Sequence, residues 1–424
     1  MAIPDYRTII ENSPLNSGGK EDVPEYKRKL FFKFEQILKE GRFIHALCGM
    51  RRVGKSTLMK QILNTLPNSF YFSFDEKKYL NPEALDEVIK TFIKKGEECT
   101  IGLDEIGRIE DWAGILKKYY DSHKITFFIS SSSSLLTKRG KESLAGRMLD
   151  FHLPPLQFNE FLELKKVKKQ KEAIDISEDK SMLRFHDYSE HLKEFLESGS
   201  FPQIAFSKNK DLVKKYVENS TVEKMIFEDI PQTFGVEHPA KLEQIFRYAS
   251  EYSGDLFHET AIASSVSLNH STVTSYLNYM YYSGLIRVLH EEGSYSKALR
   301  KYKKLFVTSP ALYYNTCKNF SSGKLYETAV LDKLSAVLEE EIFFYRDYQQ
   351  HEVDFVAGKI PIEVKLGKEI LLNQLQGLKF YIKEKKPKKA LVIYSGEWNK
   401  IEMNGTDIFF IPFHMLLSCD EIKL

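Results

Sequence analysis

One short glycine-rich segment, residues 49–56, constrains the fold of this chain more than any other feature. It reads G-M-R-R-V-G-K-S and matches the pattern G-x-x-x-x-G-K-[ST] at every fixed position. An apolar, strand-like run at 43–48 precedes it, and a helical pattern at 56–66 follows it. A strand that enters a helix through such a loop lets backbone N–H groups surround phosphate oxygens at the helix N-terminus. The segment therefore predicts a phosphate-binding loop.

The loop residues predicted to bind the nucleotide are Gly49, Met50, Arg51, Arg52, Val53, Gly54, Lys55, Ser56 and Thr57. Lys55 would pair with the β- and γ-phosphates, and the Ser56 hydroxyl would bind Mg²⁺. ATP and Mg²⁺ are therefore the expected cofactors. The competing interpretation is an ordinary glycine turn that happens to carry Lys-Ser, and the flanking strand and helix argue against it.

A second motif follows in the expected order, because the apolar run 100–103 ends in Asp104 and Glu105. Asp104 would hold Mg²⁺ through water, and Glu105 would orient and polarise the water that attacks the γ-phosphate. A solvent-facing acidic strand end is the alternative interpretation of the pair.

Two weaker signals complete the predicted catalytic site. The strand pattern at 125–130 ends in the serine run 130–134, from which Ser130 would act as a sensor between the water and the γ-phosphate. A simple turn explains the run equally well. Charge on the transferred phosphoryl group usually requires an arginine from the same chain or a neighbour. Arg139 and Arg147 are candidates that could face a partner's nucleotide in a ring, and either could equally be an ordinary surface arginine.

Strand and helix patterns alternate through the first part of the chain. Strands are predicted at 43–48, 69–74, 100–103 and 125–130, and helices at 56–66, 82–95 and 112–121. This alternation predicts a parallel sheet covered by helices on both faces.

A different pattern occupies residues 241–290, where helical segments joined by a short turn precede a strand at 285–289. This is the outline of a winged helix-turn-helix. The helix after Ser271 contains no Arg or Lys. The winged helix could therefore contact a protein partner as readily as it could recognise a DNA sequence. Two basic runs follow, and each is either a solvated face or a set of phosphate contacts. The first contains Lys297, Arg300, Lys301, Lys303 and Lys304 with Tyr295 and Tyr302, and the second contains Lys383, Lys385, Lys386, Lys388 and Lys389.

Near the end of the chain, Asp354 is followed nine residues later by Glu363-Val364-Lys365, the order D…E-x-K of restriction-endonuclease-like folds. Glu363 and Lys365 would share one face of a strand. Asp354, Glu363 and the Val364 carbonyl could bind Mg²⁺, with Glu327 as a further carboxylate, and Lys365 could orient or deprotonate the attacking water. A hairpin with exposed charges is the simpler alternative.

Taken together, these residues resemble a widespread bacterial and archaeal group of AAA-type ATPases that carry a winged helix and a C-terminal nuclease-like domain of unknown function. The similar segments are 49–56, 103–106, 144–147, 155–161, 199–202, 228–230, 352–355 and 363–365. The chain departs from the group at residues 130–132, where Thr-Gly-Ser is usual, and at 199–200, where Gly-Gly is usual.

The composition excludes several other classes of protein. Apolar residues make up 42% of the chain, which is enough to build globular cores, and no run approaches the roughly 18 apolar residues of a membrane-spanning helix. The four cysteines lie far apart, so neither a zinc site nor a disulfide framework is indicated, and the sequence begins without a secretory signal pattern. A cytoplasmic location and no membrane partner are expected.

The sequence thus predicts an α/β multidomain protein in which an AAA-type P-loop core with a parallel sheet is joined to a helical lid, a winged helix and a restriction-endonuclease-like domain. The predicted segments are an N-terminal arm at 1–28, the ATPase core at 29–155, the lid at 156–235, the winged helix at 236–310 and the nuclease-like domain at 311–424. The expected function is that of an ATPase that acts on, or is regulated by, nucleic acid, with DNA favoured over RNA. The chain is expected to assemble into a homo-oligomeric ring. The alternative is an ATP-controlled assembly switch whose winged helix and inactive nuclease-like domain bind protein partners.

Overall fold

The computed structural model describes residues 13–38, 40–96, 98–132, 143–168, 171–175, 186–293 and 303–424. The chain divides into two compact units. The first contains Met1–Pro154, Glu223–Pro239 and Tyr282–Gly284, and the second contains Pro155–Val222, Ala240–Tyr281 and Leu285–Leu424, as far as these ranges are described.

The strands of the described residues, in chain order, are β1 Ile44–Cys48, β2 Ser69–Ser73, β3 Glu98–Asp104, β4 Lys124–Ser131, β5 Met148–His152, β6 Ala173–Asp175, β7 Leu256–Phe257, β8 Ile286–Glu291, β9 Lys303–Val307, β10 Ile342–Arg346, β11 Glu352–Ala357, β12 Ile360–Val364, β13 Lys389–Tyr394, β14 Asn399–Met403, β15 Thr406–Pro412 and β16 Glu421–Lys423.

The α-helices of the same residues are α1 Lys29–Ile37, α2 Lys55–Leu63, α3 Pro82–Ile93, α4 Trp112–Ser122, α5 Phe158–Leu164, α6 Ser189–Glu194, α7 Lys210–Lys215, α8 Ile230–Phe234, α9 Pro239–Glu251, α10 Glu259–Val266, α11 His270–Tyr282, α12 Pro310–Thr316, α13 Ser322–Val337, α14 Gln376–Lys385 and α15 Phe413–Ser418. Wider, π-helical turns occupy Phe195–Gly199, Tyr216–Glu223 and Met225–Asp229. None of the helices in the described ranges combines the length and hydropathy that crossing a bilayer requires.

The first unit is built on a five-stranded parallel sheet with strand order β2-β3-β4-β1-β5. Every residue of β1 is buried, as expected for a central strand of a parallel sheet covered on both faces. The parallel sheet predicted from the alternating pattern is therefore confirmed. Strand β5 was not predicted, because Asp150 and His152 interrupt its apolar run and leave the strand only partly buried.

The described part of the predicted N-terminal arm packs against this sheet and the phosphate loop. The Asn16 side-chain amide donates to the Tyr71 carbonyl (2.9 Å) and accepts from the Tyr71 N–H (2.8 Å), so it pairs with the outer strand β2 much as a neighbouring strand would. Arg28 donates to the carbonyls of Val53 and Pro154, both at 3.0 Å. Residues 13–28 are therefore part of the first unit.

The second unit contains a nine-stranded mixed sheet with strand order β14-β15-β13-β12-β11-β10-β8-β9-β7. Strand β8 pairs with β10 through Phe343 opposite His290 and Phe344 opposite Glu291. The sequence predicted separate domains at 236–310 and 311–424, whereas strands from both ranges share this sheet. An exposed strand edge favours pairing with another strand, and no local sequence pattern reveals which strand it will be.

The predicted lid at 156–235 is likewise divided, since residues 155–222 lie in the second unit and residues 223–239 in the first. A buried polar network holds the lid residues to the C-terminal part of the second unit. Asp420 accepts from Asn159 (2.9 Å) and from the Lys168 ammonium (2.7 Å), whose side chain is fully buried. Buried charges require such partners, so this network fixes the position of the lid residues.

Candidate functional site

The phosphate loop leaves the carboxyl end of β1 in a conformation that requires both fixed glycines. A Cβ at Gly49 would lie 2.5 Å from the Leu153 carbonyl oxygen, closer than any side chain can approach. Gly54 has φ +100° at the N-terminus of α2, in the left-handed region that favours glycine. Ligands of parallel α/β sheets bind at this carboxyl edge of the strands.

Lys55 is directed into the loop rather than into solvent. Its side chain is 5% exposed, and its Nζ donates to the carbonyl oxygens of Gly49 (3.0 Å) and Met50 (3.2 Å). The same ammonium lies 3.8 Å from Oε1 of Glu105. The structure therefore brings together the predicted phosphate-binding cation and the predicted base.

Asp104 ends β3 and is held by one side chain from each neighbouring strand. Tyr71 on β2 donates its hydroxyl to Asp104 Oδ2 at 2.9 Å, and the Ser130 hydroxyl on β4 donates to Oδ1. Burial, together with the charge of Asp104, raises the pKa of the Tyr71 phenol, so it remains a donor. The sequence did not single out Tyr71. The available signal was a tyrosine in the middle of the short strand S-F-Y-F-S.

Glu105 adopts a left-handed backbone conformation (φ +58°), which is uncommon for a residue with a side chain. Its N–H donates to Ser130 Oγ at 3.1 Å, and its Oε2 accepts from the Ser132 N–H at 3.2 Å. Burial raises the pKa of the Glu105 carboxyl, against the opposing effect of the Lys55 charge. A carboxylate with a raised pKa accepts a proton more readily, as a general base must.

Ser130 therefore connects both acids of the motif, and its contact with a nucleotide stays a prediction. Ser133 and Ser134 of the predicted serine run lie outside the described residues, as does the arginine candidate Arg139. Ser56 and Thr57 lie in the first turn of α2, with Ser56 exposed and Thr57 partly buried. The oxygens of Ser56 and Asp104 form a donor set of the kind that Mg²⁺ binds.

The remaining arginine candidate, Arg147, lies at the opposite edge of the sheet. Its main-chain carbonyl accepts from the N–H of Ile44, the first residue of β1, whereas the phosphate loop follows the last. The five residues of β1 therefore separate Arg147 from the phosphate loop by about 16 Å. Arg147 also pairs with Asp121 through Nε (2.8 Å) and Nη2 (3.2 Å). A role at the nucleotide of its own chain is thus excluded. A role at a partner's nucleotide stays a prediction, and a surface arginine paired with Asp121 is the alternative.

The first unit contains a second ion pair at the loop that the sequence did not reveal. Arg51 Nη1 donates to both carboxylate oxygens of Asp229, at 3.0 and 3.1 Å, and Asp229 is 4% exposed. Arg108, three residues after Glu105, donates to Gln232 Oε1 at 2.8 Å. The segment Glu223–Pro239 is therefore attached to the nucleotide site at two points.

The predicted acid–lysine cluster is assembled in the second unit on the adjacent strands β11 and β12. Asp354 Oδ2 accepts from the Val364 N–H at 2.8 Å, and Lys365 Nζ lies 2.5 Å from Glu363 Oε1. Glu363 is 4% exposed, and its Oε2 is buried without a hydrogen-bond partner among the described residues. A buried carboxylate oxygen in that state is costly unless something else binds it.

The electrostatics of this cluster favour a bound cation. Burial, followed by the charge of Asp354, raises the pKa of Glu363 to about 8 and that of Glu327 to about 7. Glu327 itself pairs with Lys324 at 3.4 Å. Within the described ranges, no three His, Cys, Asp or Glu side chains are grouped as metal ligands. Asp354, Glu363 and the Val364 carbonyl, with Glu327 as a further carboxylate, therefore stay predicted ligands.

Two of the lysines predicted to contact phosphates from the wing are used within the second unit. Lys303 pairs with Glu259 at 2.8 Å, and Lys304, which is 2% exposed, pairs with Glu352. The buried Lys304 fits neither a solvated face nor a phosphate contact, and the charge of Lys303 is neutralised by Glu259. The rest of that run lies outside the described residues.

Comparison with known proteins agrees with the first site and leaves the second without a described function. Residues 41–162 match a family model described as an AAA domain. Residues 189–322 and 322–416 match two models described as domains of unknown function, DUF8612 and DUF4143. The parallel sheet and the phosphate loop of the first part of the chain thus agree with its similarity to an AAA domain.

Two similar proteins come from the same organism and align over most of their length. One uncharacterized protein of Methanocaldococcus jannaschii is 26% identical over 74% of this chain and 71% of its own length. A second uncharacterized protein of the same organism is 27% identical over 87% of this chain and 83% of its own length. Among solved structures, Thermotoga maritima RuvB is 17% identical and covers 69% of this chain and 96% of its own, with a TM-score of 0.33. A TM-score of that size does not establish a shared overall fold.

Proposed function

We propose that this chain binds ATP in the loop 49–57 and hydrolyses it with Glu105 as the general base. The observation that carries the proposal is the 3.8 Å separation between Lys55 Nζ and Glu105 Oε1 at the carboxyl edge of a parallel sheet. At that distance a phosphate-binding cation and a carboxylate of raised pKa lie side by side. The AAA-domain match over 41–162 supports the same proposal.

The roles of the side chains follow from their contacts. When ATP binds, Lys55 exchanges its contacts with the Gly49 and Met50 carbonyls for phosphate oxygens. Glu105, fixed by Ser130 and Ser132, accepts the proton of the attacking water. Mg²⁺, held by Ser56 and Asp104, would neutralise charge that develops on the phosphate oxygens. Tyr71 and Ser130 keep the Asp104 carboxylate in one orientation.

Lys55→Ala tests the binding half of the proposal. A charge-assisted contact to phosphate contributes about 1.5–3 kcal/mol, so ATP affinity should fall by roughly 10- to 100-fold. Lys60→Ala is the matched control, because Lys60 lies on the same helix but pairs with Glu21 at 2.9 Å. Binding of a fluorescent ATP analogue measures both. Equal affinity of the two variants would contradict the assignment.

A second candidate function is metal-dependent cleavage of phosphodiesters at Asp354, Glu363 and Lys365. The buried Glu363 Oε2, which has no hydrogen-bond partner among the described residues, and the adjacent Lys365 ammonium favour it. Asp354 and Glu363 would hold the cation, which would stabilise the charged phosphate, and Lys365 would orient the attacking water. Asp354→Asn keeps the shape of the side chain and removes its charge. It should abolish cleavage in Mg²⁺ or Mn²⁺ and leave ATP turnover intact, because the two sites share no residue.

We further propose that the ATPase acts on, or is regulated by, DNA, and that it assembles into a ring. The order α9, β7, α10, α11, β8 and β9 supports a winged helix in the second unit. ATP turnover measured with and without DNA tests this role.

The alternative is an assembly switch in which the same helices and an inactive nuclease-like domain bind protein partners. A steep loss of DNA affinity with rising salt would favour the DNA role over the switch.

A further inference from the structure

A cavity of about 730 Å³ in the second unit collects lysines from three separate chain segments. They come from the turn between β11 and β12, from the end of α14 and from the start of β13. The five are Lys359, Lys385, Lys386, Lys388 and Lys389. Glu292 is the acidic side chain of the lining.

Most of this positive charge is not paired with an acidic side chain of the described residues. Lys385 pairs with Glu384 at 3.0 Å. The other four make no ion pair with any acid in the described part of the chain, unlike Lys303 and Lys304 nearby in the same sheet. A concave surface whose charge is predominantly of one sign focuses its field and attracts ligands of the opposite sign.

The lining also indicates which anion fits. Its aromatic residue, Tyr381, is 1% exposed and donates its hydroxyl to Glu292 at 3.0 Å, so none of the lining residues offers a ring face for stacking a base. Flexible ammonium groups contact phosphates as point charges and carry no sequence information. We propose that this cavity binds the phosphodiester backbone of nucleic acid, an inference that rests on the nucleic-acid part of the proposed function.

The cavity is distinct from the acid–lysine cluster. Strand β12 begins at Ile360, in the cavity lining, and reaches Glu363 three residues later, which corresponds to about 10 Å. None of the cavity lysines contacts Asp354 or Glu363. Substitutions in the cavity should therefore change how the backbone is held without altering the candidate metal ligands.

The test compares two double variants of the full chain with the same change of charge. Lys386→Gln/Lys388→Gln removes two cavity lysines, and Lys379→Gln/Lys383→Gln removes two lysines of α14 that do not line the cavity. Affinity for a short fluorescent DNA duplex, and for its single strand, is measured over a range of salt concentrations. ATP turnover without DNA is measured for each variant, and both variants should retain it.

The cavity variant should bind duplex DNA roughly tenfold more weakly, with the slope of log affinity against log salt reduced by about two, while the control variant binds as the unsubstituted chain does. Equal loss in both variants, or no loss in either, would overturn the cavity assignment and leave the proposed function standing. Failure of the unsubstituted chain to bind DNA would overturn the nucleic-acid part of that function as well. Binding of inorganic polyphosphate but not of DNA would overturn the nucleic-acid assignment.

Discussion

Arg51 of the phosphate loop and Asp229 form a two-point ion pair that spans 178 residues of sequence. Asp229 is almost fully buried, and its charge adds to the effects that raise the pKa of Glu105. The pair therefore connects the helical segment Glu223–Pro239 with the phosphate loop.

Asp229→Asn should destabilise the first unit and weaken ATP binding. Removing one charge of a largely buried pair leaves the other without its partner, and the partial exposure of Arg51 (25%) limits the cost to about 1–3 kcal/mol of unfolding free energy. The neighbouring variant Glu228→Gln breaks only an exposed pair with Lys224, which should cost less than about 1 kcal/mol. Denaturant unfolding measures both, and equal midpoints would contradict the assigned role of the pair.

Tyr71→Phe should lower ATP turnover while leaving ATP affinity nearly unchanged. The variant removes the hydroxyl that fixes Asp104 Oδ2, so the carboxylate that would hold Mg²⁺ loses its orientation. A buried acceptor left without its donor costs about 1–3 kcal/mol, or about 10- to 100-fold in turnover if the cost falls on the transition state. Tyr119→Phe is the control, because that hydroxyl donates to Asp86 at 2.7 Å away from the loop. Similar kinetics for the two variants would show that Tyr71 has only a packing role.

Stability at acid pH should depend on His45. This residue of β1 is fully buried among Phe34, Phe128 and Phe151, and within the described residues neither ring nitrogen has a hydrogen-bond partner. Burial lowers the pKa of His45 to about 4, against about 6.5 in an unfolded chain. The unfolded chain therefore binds the extra proton between these values, and stability falls as the pH drops from 6.5 to 4.

His45→Phe should remove up to about 3 kcal/mol of that acid dependence. The control is His123→Phe, a substitution at a partly exposed histidine of the same unit. Unfolding free energies of the three proteins are compared at pH 7 and pH 4. If His45→Phe loses as much stability on acidification as the unsubstituted chain does, the neutral buried state of His45 is wrong.

Arg147→Ala should reduce ATP turnover only in the assembled protein. The side chain lies at the edge of the sheet opposite the loop, so it can reach a nucleotide only in a neighbouring subunit. ATP affinity should stay unchanged, and turnover per subunit should fall by roughly 1,000-fold if the arginine stabilises the transition state. Light scattering with saturating ATP, alongside turnover over a dilution series, measures both. Full activity of a strictly monomeric protein would contradict the ring.

Local sequence patterns were sufficient for most of the first unit. Strands β1 to β4 could be predicted because each is an apolar run bounded by turn residues, and the loop could be predicted because its glycines are required by backbone geometry. Asp104 and Glu105 followed from their position at a strand end. In each case the information lies within a few residues of the feature.

The features that the sequence did not reveal all depend on pairing between distant residues. Nothing near Asp229 indicates that it will meet Arg51, and nothing near Tyr71 indicates that its hydroxyl will reach Asp104. The pairing of β8 with β10, which merges two predicted domains into one sheet, is of the same kind. Four of the five lysines that line the cavity lie within residues 385–389 and can be recognised in the sequence as a basic run. The contribution of Lys359 requires the folded turn between β11 and β12.

The Glu105→Gln variant tests the proposed hydrolysis of ATP most directly. The variant keeps the shape of the side chain and removes the carboxylate that would accept the proton of water. We expect ATP to bind with nearly unchanged affinity, while the rate of a single turnover falls by roughly 100-fold or more. Hydrolysis at the rate of the unsubstituted chain would contradict the assignment of Glu105 as the base.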